Sequence, residues 1–104
     1  MSIICTVEFN VPVKTLAECA ADYPELIDGI RDAANGLMLS HARYERDGRA
    51  LDIDEYASQA DYETFRRAAE FYIARVKLIT GAHTIETLWT RTAETLAHSA
   101  PANS

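Results

Sequence analysis

Apolar and polar positions alternate from the start of the chain. Ile3, Cys5, Val7 and Phe9 interleave with Ile4, Thr6, Glu8 and Asn10, which is the period of a strand. The Phe9 side faces a core. The Thr6, Glu8, Asn10 side is polar, with Ile4 among it. Pro12 ends the strand. Thr15-Leu16-Ala17-Glu18 has the form of a capping box, so a helix is expected with Thr15 as its N-cap. Leu16, Cys19, Ala20, Tyr23, Ile27, Ile30 and Ala34 then recur at helical spacing. Pro24 falls inside that stripe, which keeps its phase across the proline. The expectation is one kinked helix rather than two, stopped at Asn35-Gly36.

A second strand is expected from Leu37 to Tyr44. Strict alternation puts Leu37, Leu39, His41 and Arg43 on one face and Met38, Ser40, Ala42 and Tyr44 on the other. Asp47-Gly48 is a hairpin turn signal. Ala50 to Tyr56 returns as a third strand, with Leu51, Ile53 and Glu55 opposite Asp52, Asp54 and Tyr56. Ser58 caps a helix running to about Thr80, with Asp61 in its first turn. Tyr62, Phe65, Ala69, Tyr72, Val76 and Ile79 form its buried stripe, and Gly81 closes it. Ala82 to Arg91 reads as a fourth strand. The order β-α-β-β-α-β predicts an α+β, ferredoxin-like domain: a four-stranded antiparallel sheet with two helices on one face. Residues 1–92 are expected to form it, and 93–104 a frayed tail. The other sheet face then needs solvent, a ligand or another subunit.

At 104 residues the chain suits one domain. Its net charge of −6 argues against nucleic acid, where a basic face is needed. Arg43, Arg66, Arg67 and Arg75 still allow a local positive site for a small anion. Cys5 and Cys19 read as buried thiols in a reducing compartment, not as a disulfide framework. No run is apolar enough to span a membrane, and the amino terminus lacks a signal-type core. A cytoplasmic protein is expected. No glycine-rich phosphate loop or nucleotide fingerprint occurs. The three histidines lack ligand spacing, so no metal site is expected.

Val7-Glu8-Phe9-Asn10-Val11 resembles the first strand of the antibiotic-biosynthesis-monooxygenase-like proteins of the dimeric α+β barrel superfamily. Asp54-Glu55-Tyr56 followed by Ala60 to Phe65 resembles their third strand and the start of the next helix. Phe65 to Tyr72 and Leu78 to Gly81 continue in register. The step from Asn10 to Gly36-Leu37 also matches, so the resemblance covers roughly residues 3–90. It implies a homodimer with the two sheets face to face, further pairing of dimers being left open. Family members include cofactor-independent oxygenases of anthrones or hydroquinones, haem-degrading enzymes and an isomerase of a phosphorylated sugar derivative. Many carry a histidine directly after the residue matching Phe65. Here Arg66 stands instead, which removes a base but suits a phenolate, enolate or phosphate oxygen. The same change argues against haem degradation.

Asn10 resembles a cavity asparagine of the oxygenases; its plainer role is to tie the strand end. Glu8 reads as a base or, more simply, as half of an ion pair. Asp54 matches the family's recurrent acid, and Asp52 on its face raises the prospect of like-charge coupling; the plainer reading is a solvated edge. His41 suits a general base near neutral pH, against a satisfied structural histidine. Tyr56, Phe65, Tyr72 and Trp89 are candidates to line an aromatic pocket, although helical spacing makes Phe65 and Tyr72 core residues first. The resemblance thus implies a cofactor-free monooxygenase using O2 on an electron-rich aromatic, with Asn10, Arg66, His41 and Asp54 as its catalytic candidates. The alternatives are an isomerase or lyase on a small oxygenated or phosphorylated metabolite, or a non-catalytic ligand-binding dimer.

Overall fold

A computed structural model describes residues 2–92. The expected tail, with His98, lies outside the described residues. The chain runs β1 (Ile3–Phe9), α1 (Val13–Asp22), α2 (Pro24–Ala34), β2 (Met38–Arg46), β3 (Arg49–Tyr56), α3 (Gln59–Thr80) and β4 (Thr84–Thr90). The strands form one antiparallel sheet in the order β2-β3-β1-β4. The ferredoxin-like α+β architecture is therefore present, with the first helical segment divided in two. Among the described residues no helix is long and apolar enough to cross a membrane.

The division corrects the expected kinked helix. Tyr23 sits at φ −132° and ψ 62°, outside the helical region. The residue before a proline is pushed away from helical angles by the ring. Pro24 then serves as the first residue of α2, where a missing N–H costs nothing. The start of α1 is corrected as well. It begins at Val13 with Pro12 as N-cap and no side-chain cap. The Val13 N–H instead donates to Glu45 Oε1 at 2.8 Å, from β2. The other signals hold. Asp47 and Gly48 both take positive φ, 51° and 74°, as a two-residue hairpin turn requires. The Asp61 N–H donates to Ser58 Oγ at 3.1 Å, and Gly81 closes α3 in the left-handed region.

Directly paired residues share a sheet face. Ile3, Cys5 and Val7 pair with Tyr56, Asp54 and Asp52, and this is the face beneath the helices. Cys5, Tyr56, Phe65 and Ala69 form the buried cluster, with Ile30, Met38, Tyr62 and Ile73 against it. The opposite face carries Ile4, Thr6, Leu51, Ile53, Tyr44, Ile85 and Trp89, by the same pairing.

On β2 strict alternation fails at one place. Met38 pairs with Tyr56 while Ser40 pairs with the next residue, Glu55. Leu39 is thus an extra residue, a bulge, and it is exposed. A bulge reverses the facing of everything beyond it. It joins Met38, not Leu39, to the face of His41 and Arg43.

α2 meets α3 at Gly29. A Cβ there would lie 2.5 Å from Tyr72 Cε1 and 2.6 Å from Cζ. The glycine is what admits the ring. Gly29→Ala is expected to destabilise the protein by about 1–3 kcal/mol through overpacking, although alanine is worth about 1 kcal/mol more than glycine in a helix. In a Tyr72→Ala background the sign reverses, and Gly29→Ala stabilises. Denaturant midpoints of the four proteins check this. Stabilisation by Gly29→Ala with Tyr72 present would contradict it.

Candidate functional site

The buried polar groups of the sheet lie on its helix-side face. Asp52 and Asp54 are 7% and 8% exposed, yet both alternate with apolar residues on β3. Each is matched from β2. Arg43 donates through Nε to Asp52 Oδ1 at 2.6 Å and through its terminal nitrogen to Oδ2 at 2.9 Å. This fork also lies 6.0 Å from the Phe9 ring centroid, at the outer limit of a cation–π contact. His41 Nδ1 lies 2.5 Å from Asp54 Oδ1, short even for a charge-assisted bond.

Burial pushes the Asp54 carboxyl up; the His41 contact acts against this, and Asp52 adds to it. A buried carboxylate costs several kcal/mol unless paired, so Asp54 is held ionised chiefly by its histidine. An ionised Asp54 accepts from Nδ1–H. The Nε2 of His41 is then left with its lone pair directed away from the aspartate. The His41 side chain is 47% exposed against 12% for Asp54. One end of the pair is anchored and the other is accessible.

His41 opens on a shallow pocket of about 250 Å³ between the end of α2 and β2. Arg31, Asn35, Met38 and Ser40 line it with His41. None of the first three was a candidate by sequence. Arg31 occupies the last turn of α2, where a cation is ordinarily read as complementing the helix dipole.

A second polar group lies on the same face beneath the start of α3. Arg66 Nε is 3.4 Å from Glu86 Oε2, and the Cys5 thiol donates to the same oxygen at 3.5 Å. Burial, then Glu86, pushes the Cys5 thiol up to about 12. It stays protonated at neutral pH and is a poor nucleophile. Tyr62 is likewise pushed up to about 12 by burial and by Glu86, and burial pushes Tyr56 further up. Arg66 is thus committed to β4, whereas His41 stands on β2, three strand steps away. At about 4.8 Å per step that is about 14 Å, too far for a small substrate to touch both.

The other candidates are dispersed. The Asn10 N–H donates to the His83 carbonyl at 3.2 Å, and its Oδ1 accepts from the His83 N–H at 2.8 Å. It ties the end of β1 to the approach of β4. Glu8 is exposed on the opposite face, in a groove of about 390 Å³ with Tyr44, Arg46 and Arg49. The four aromatic candidates do not converge. Tyr56 and Phe65 are core residues with ring centroids 5.7 Å apart. Tyr72 packs on Gly29 and, edge to face, on Phe71. Trp89 pairs across from Ile4 on the opposite face, where its indole N–H donates to Thr6 Oγ1 at 2.9 Å. Both cysteines are free and buried. Among the described residues no cluster of three metal-ligating side chains occurs.

No family model and no curated protein matches the sequence. Solved structures do match the fold. Rv0793 from Mycobacterium tuberculosis superposes with a TM-score of 0.65 at 17% identity, over 90% of this chain and 98% of that one. A Deinococcus radiodurans protein described as a putative antibiotic biosynthesis monooxygenase gives 0.63 at 13% identity, over 89% and 95%. SnoaB, a cofactor-independent oxygenase from Streptomyces nogalater, gives 0.57 at 14%, over 91% and 96%. The chain has the antibiotic-biosynthesis-monooxygenase fold. At these identities the likeness concerns the backbone. Within an antibiotic-biosynthesis-monooxygenase fold, the chemistry has to be argued from this chain's own side chains, and His41 with Asp54 is the pair those side chains offer.

Proposed function

We propose that this chain is a cofactor-independent monooxygenase acting on an electron-rich aromatic, with His41 as the general base and Asp54 as its positioning residue. The observation that carries the reading is an accessible imidazole backed by a buried carboxylate at the edge of a pocket. The likeness to a cofactor-independent oxygenase supports it at the level of fold. His41 Nε2 takes a proton from the substrate. The resulting anion passes an electron to O2, and the two radicals recombine to form a carbon–oxygen bond. Loss of water from the hydroperoxide leaves a carbonyl. One oxygen atom enters the product and the other leaves as water, so a hydroquinone gives a hydroxyquinone and water. The protein need only remove the proton, orient the anion and exclude bulk solvent.

The same pair would serve an enolisation, and Arg31 beside it suits an anionic intermediate. An isomerase reading therefore stands second. It needs no O2, so turnover that persists under strict anaerobiosis would favour it.

The second half of the reading is a homodimer through the sheet face turned away from the helices. Ile85, Trp89 and Tyr44 there are 59%, 56% and 55% exposed. Ile4, Leu51 and Ile53 share this face, with Thr6 and Glu8 interspersed, and exposed apolar side chains gathered on one sheet face suit an interaction surface. Trp89→Glu combined with Ile85→Lys is expected to give a folded single chain by light scattering where the native protein gives a pair. A native protein of single-chain mass would contradict this half alone.

For the chemistry, the measurement is oxygen uptake by metal-stripped protein with hydroquinones and anthrones, corrected for autoxidation. His41→Gln is expected to lower kcat by about 10²–10⁴, the range of a lost general base. Asp54→Asn should lower it less and shift the pH profile. Uptake within twofold of native in His41→Gln would remove His41 from the mechanism.

A further inference from the structure

The charge lining the His41 pocket is opposite to that of the chain. The sequence has 16 Asp and Glu against 10 Lys and Arg, yet no carboxylate lines this pocket. Two acids that bond its lining residues are already engaged. Asp54 bonds the far side of the imidazole, and Glu55, on the other sheet face, accepts from the Ser40 hydroxyl at 3.4 Å. Arg31 is the permanent cation of the pocket. Arg43, Arg46, Arg66 and Arg91 each lie within 4.0 Å of a carboxylate. Arg31 forms no ion pair among the described residues, although Asp28 and Asp32 lie on the same helix. An unpaired guanidinium lining the same small pocket as a base is a fork for a planar anion.

We infer that the substrate is a single-ring aromatic bearing a carboxylate, and that Arg31 binds that carboxylate and sets the specificity of the site. The inference rests on His41 being the base. Size points the same way. The pocket, of about 250 Å³, has room for one aromatic ring with its carboxylate toward Arg31. The anion would also be fixed at one end, so that the ring hydroxyl is presented to Nε2. Because Arg31 is exposed, the interaction weakens as salt is raised.

The test compares 2,5-dihydroxybenzoate, hydroquinone and 4-hydroxyphenyl phosphate as ligands under anaerobic conditions, followed by the His41 ring signals in NMR. The dihydroxybenzoate is expected to bind about tenfold more tightly than hydroquinone, the scale of one charge-assisted contact. Arg31→Gln should abolish that difference, weakening the dihydroxybenzoate about tenfold more than hydroquinone. Arg31→Lys should keep part of it, because a point charge replaces the fork. Equal affinities in the native protein, an equal loss of both ligands in Arg31→Gln, or a preference for the phosphate would each overturn the inference. Oxygen uptake separates it from the reading beneath it. Arg31-dependent binding without uptake sinks the oxygenase and leaves the carboxylate specificity standing. Uptake from dihydroxybenzoate with the same KM in Arg31→Gln does the reverse.

Discussion

The structure turns on two carboxylates buried on the wrong side of a strand. β3 alternates Leu51, Ile53 and Glu55 with Asp52, Asp54 and Tyr56. The side that goes beneath the helices is the one with the aspartates. Tyr56 is the reason that side goes in: it is 1% exposed and packs with Cys5, Phe65 and Ala69 at the centre of the core. The strand period is two, so burying Tyr56 buries both aspartates with it. Each ion then needs a partner or it costs several kcal/mol. Arg43 and His41 supply the partners, and both come from β2.

They can do so because of one extra residue. Leu39 bulges out between Met38 and Ser40. Without it, a strand that buries Met38 would turn His41 and Arg43 to the other face. The apolar end of β2 and its charged middle therefore serve the same side of the sheet only through the bulge. Fold and site are coupled here. Asp52 is satisfied by a bidentate fork, an arrangement that chiefly holds structure. Asp54 is satisfied by a single histidine whose other nitrogen is free to act. The net upward push on Asp54 means that ionising it costs the folded state. Its contribution is most favourable at low pH and is lost as pH rises through the raised folded value. A fold that keeps such a group forgoes stability at neutral pH, which accords with a functional rather than a structural role.

Much of the architecture was legible because it rests on local chemistry. The Asp47-Gly48 turn, the Ser58 cap and the Gly81 stop are each readable from neighbouring residues, and each is found. What failed was set at a distance or by a conformational detail. The helix was expected to start at Thr15 because its capping box is local. It starts at Val13 because Glu45, 32 residues on, accepts the first N–H. One kinked helix was expected because the apolar stripe ignores Pro24, but the restriction falls on Tyr23 and ends α1. His41 and Asp54 were readable separately as a base and an acid. Their pairing was not, since the Leu39 bulge carries no signature in the sequence. Arg31 was invisible for another reason: a basic residue in a last helical turn already has an ordinary explanation.

The most direct measurement of the central claim is the pH titration of the Asp54 side-chain carboxyl carbon by NMR, in the native protein and in His41→Gln. The account predicts a midpoint above the ordinary aspartate value of 3.8 in the native protein, moving higher when the histidine is replaced. A midpoint at or below that value, the same in both proteins, would mean that Asp54 is neither buried nor held by His41, and the site would dissolve with it.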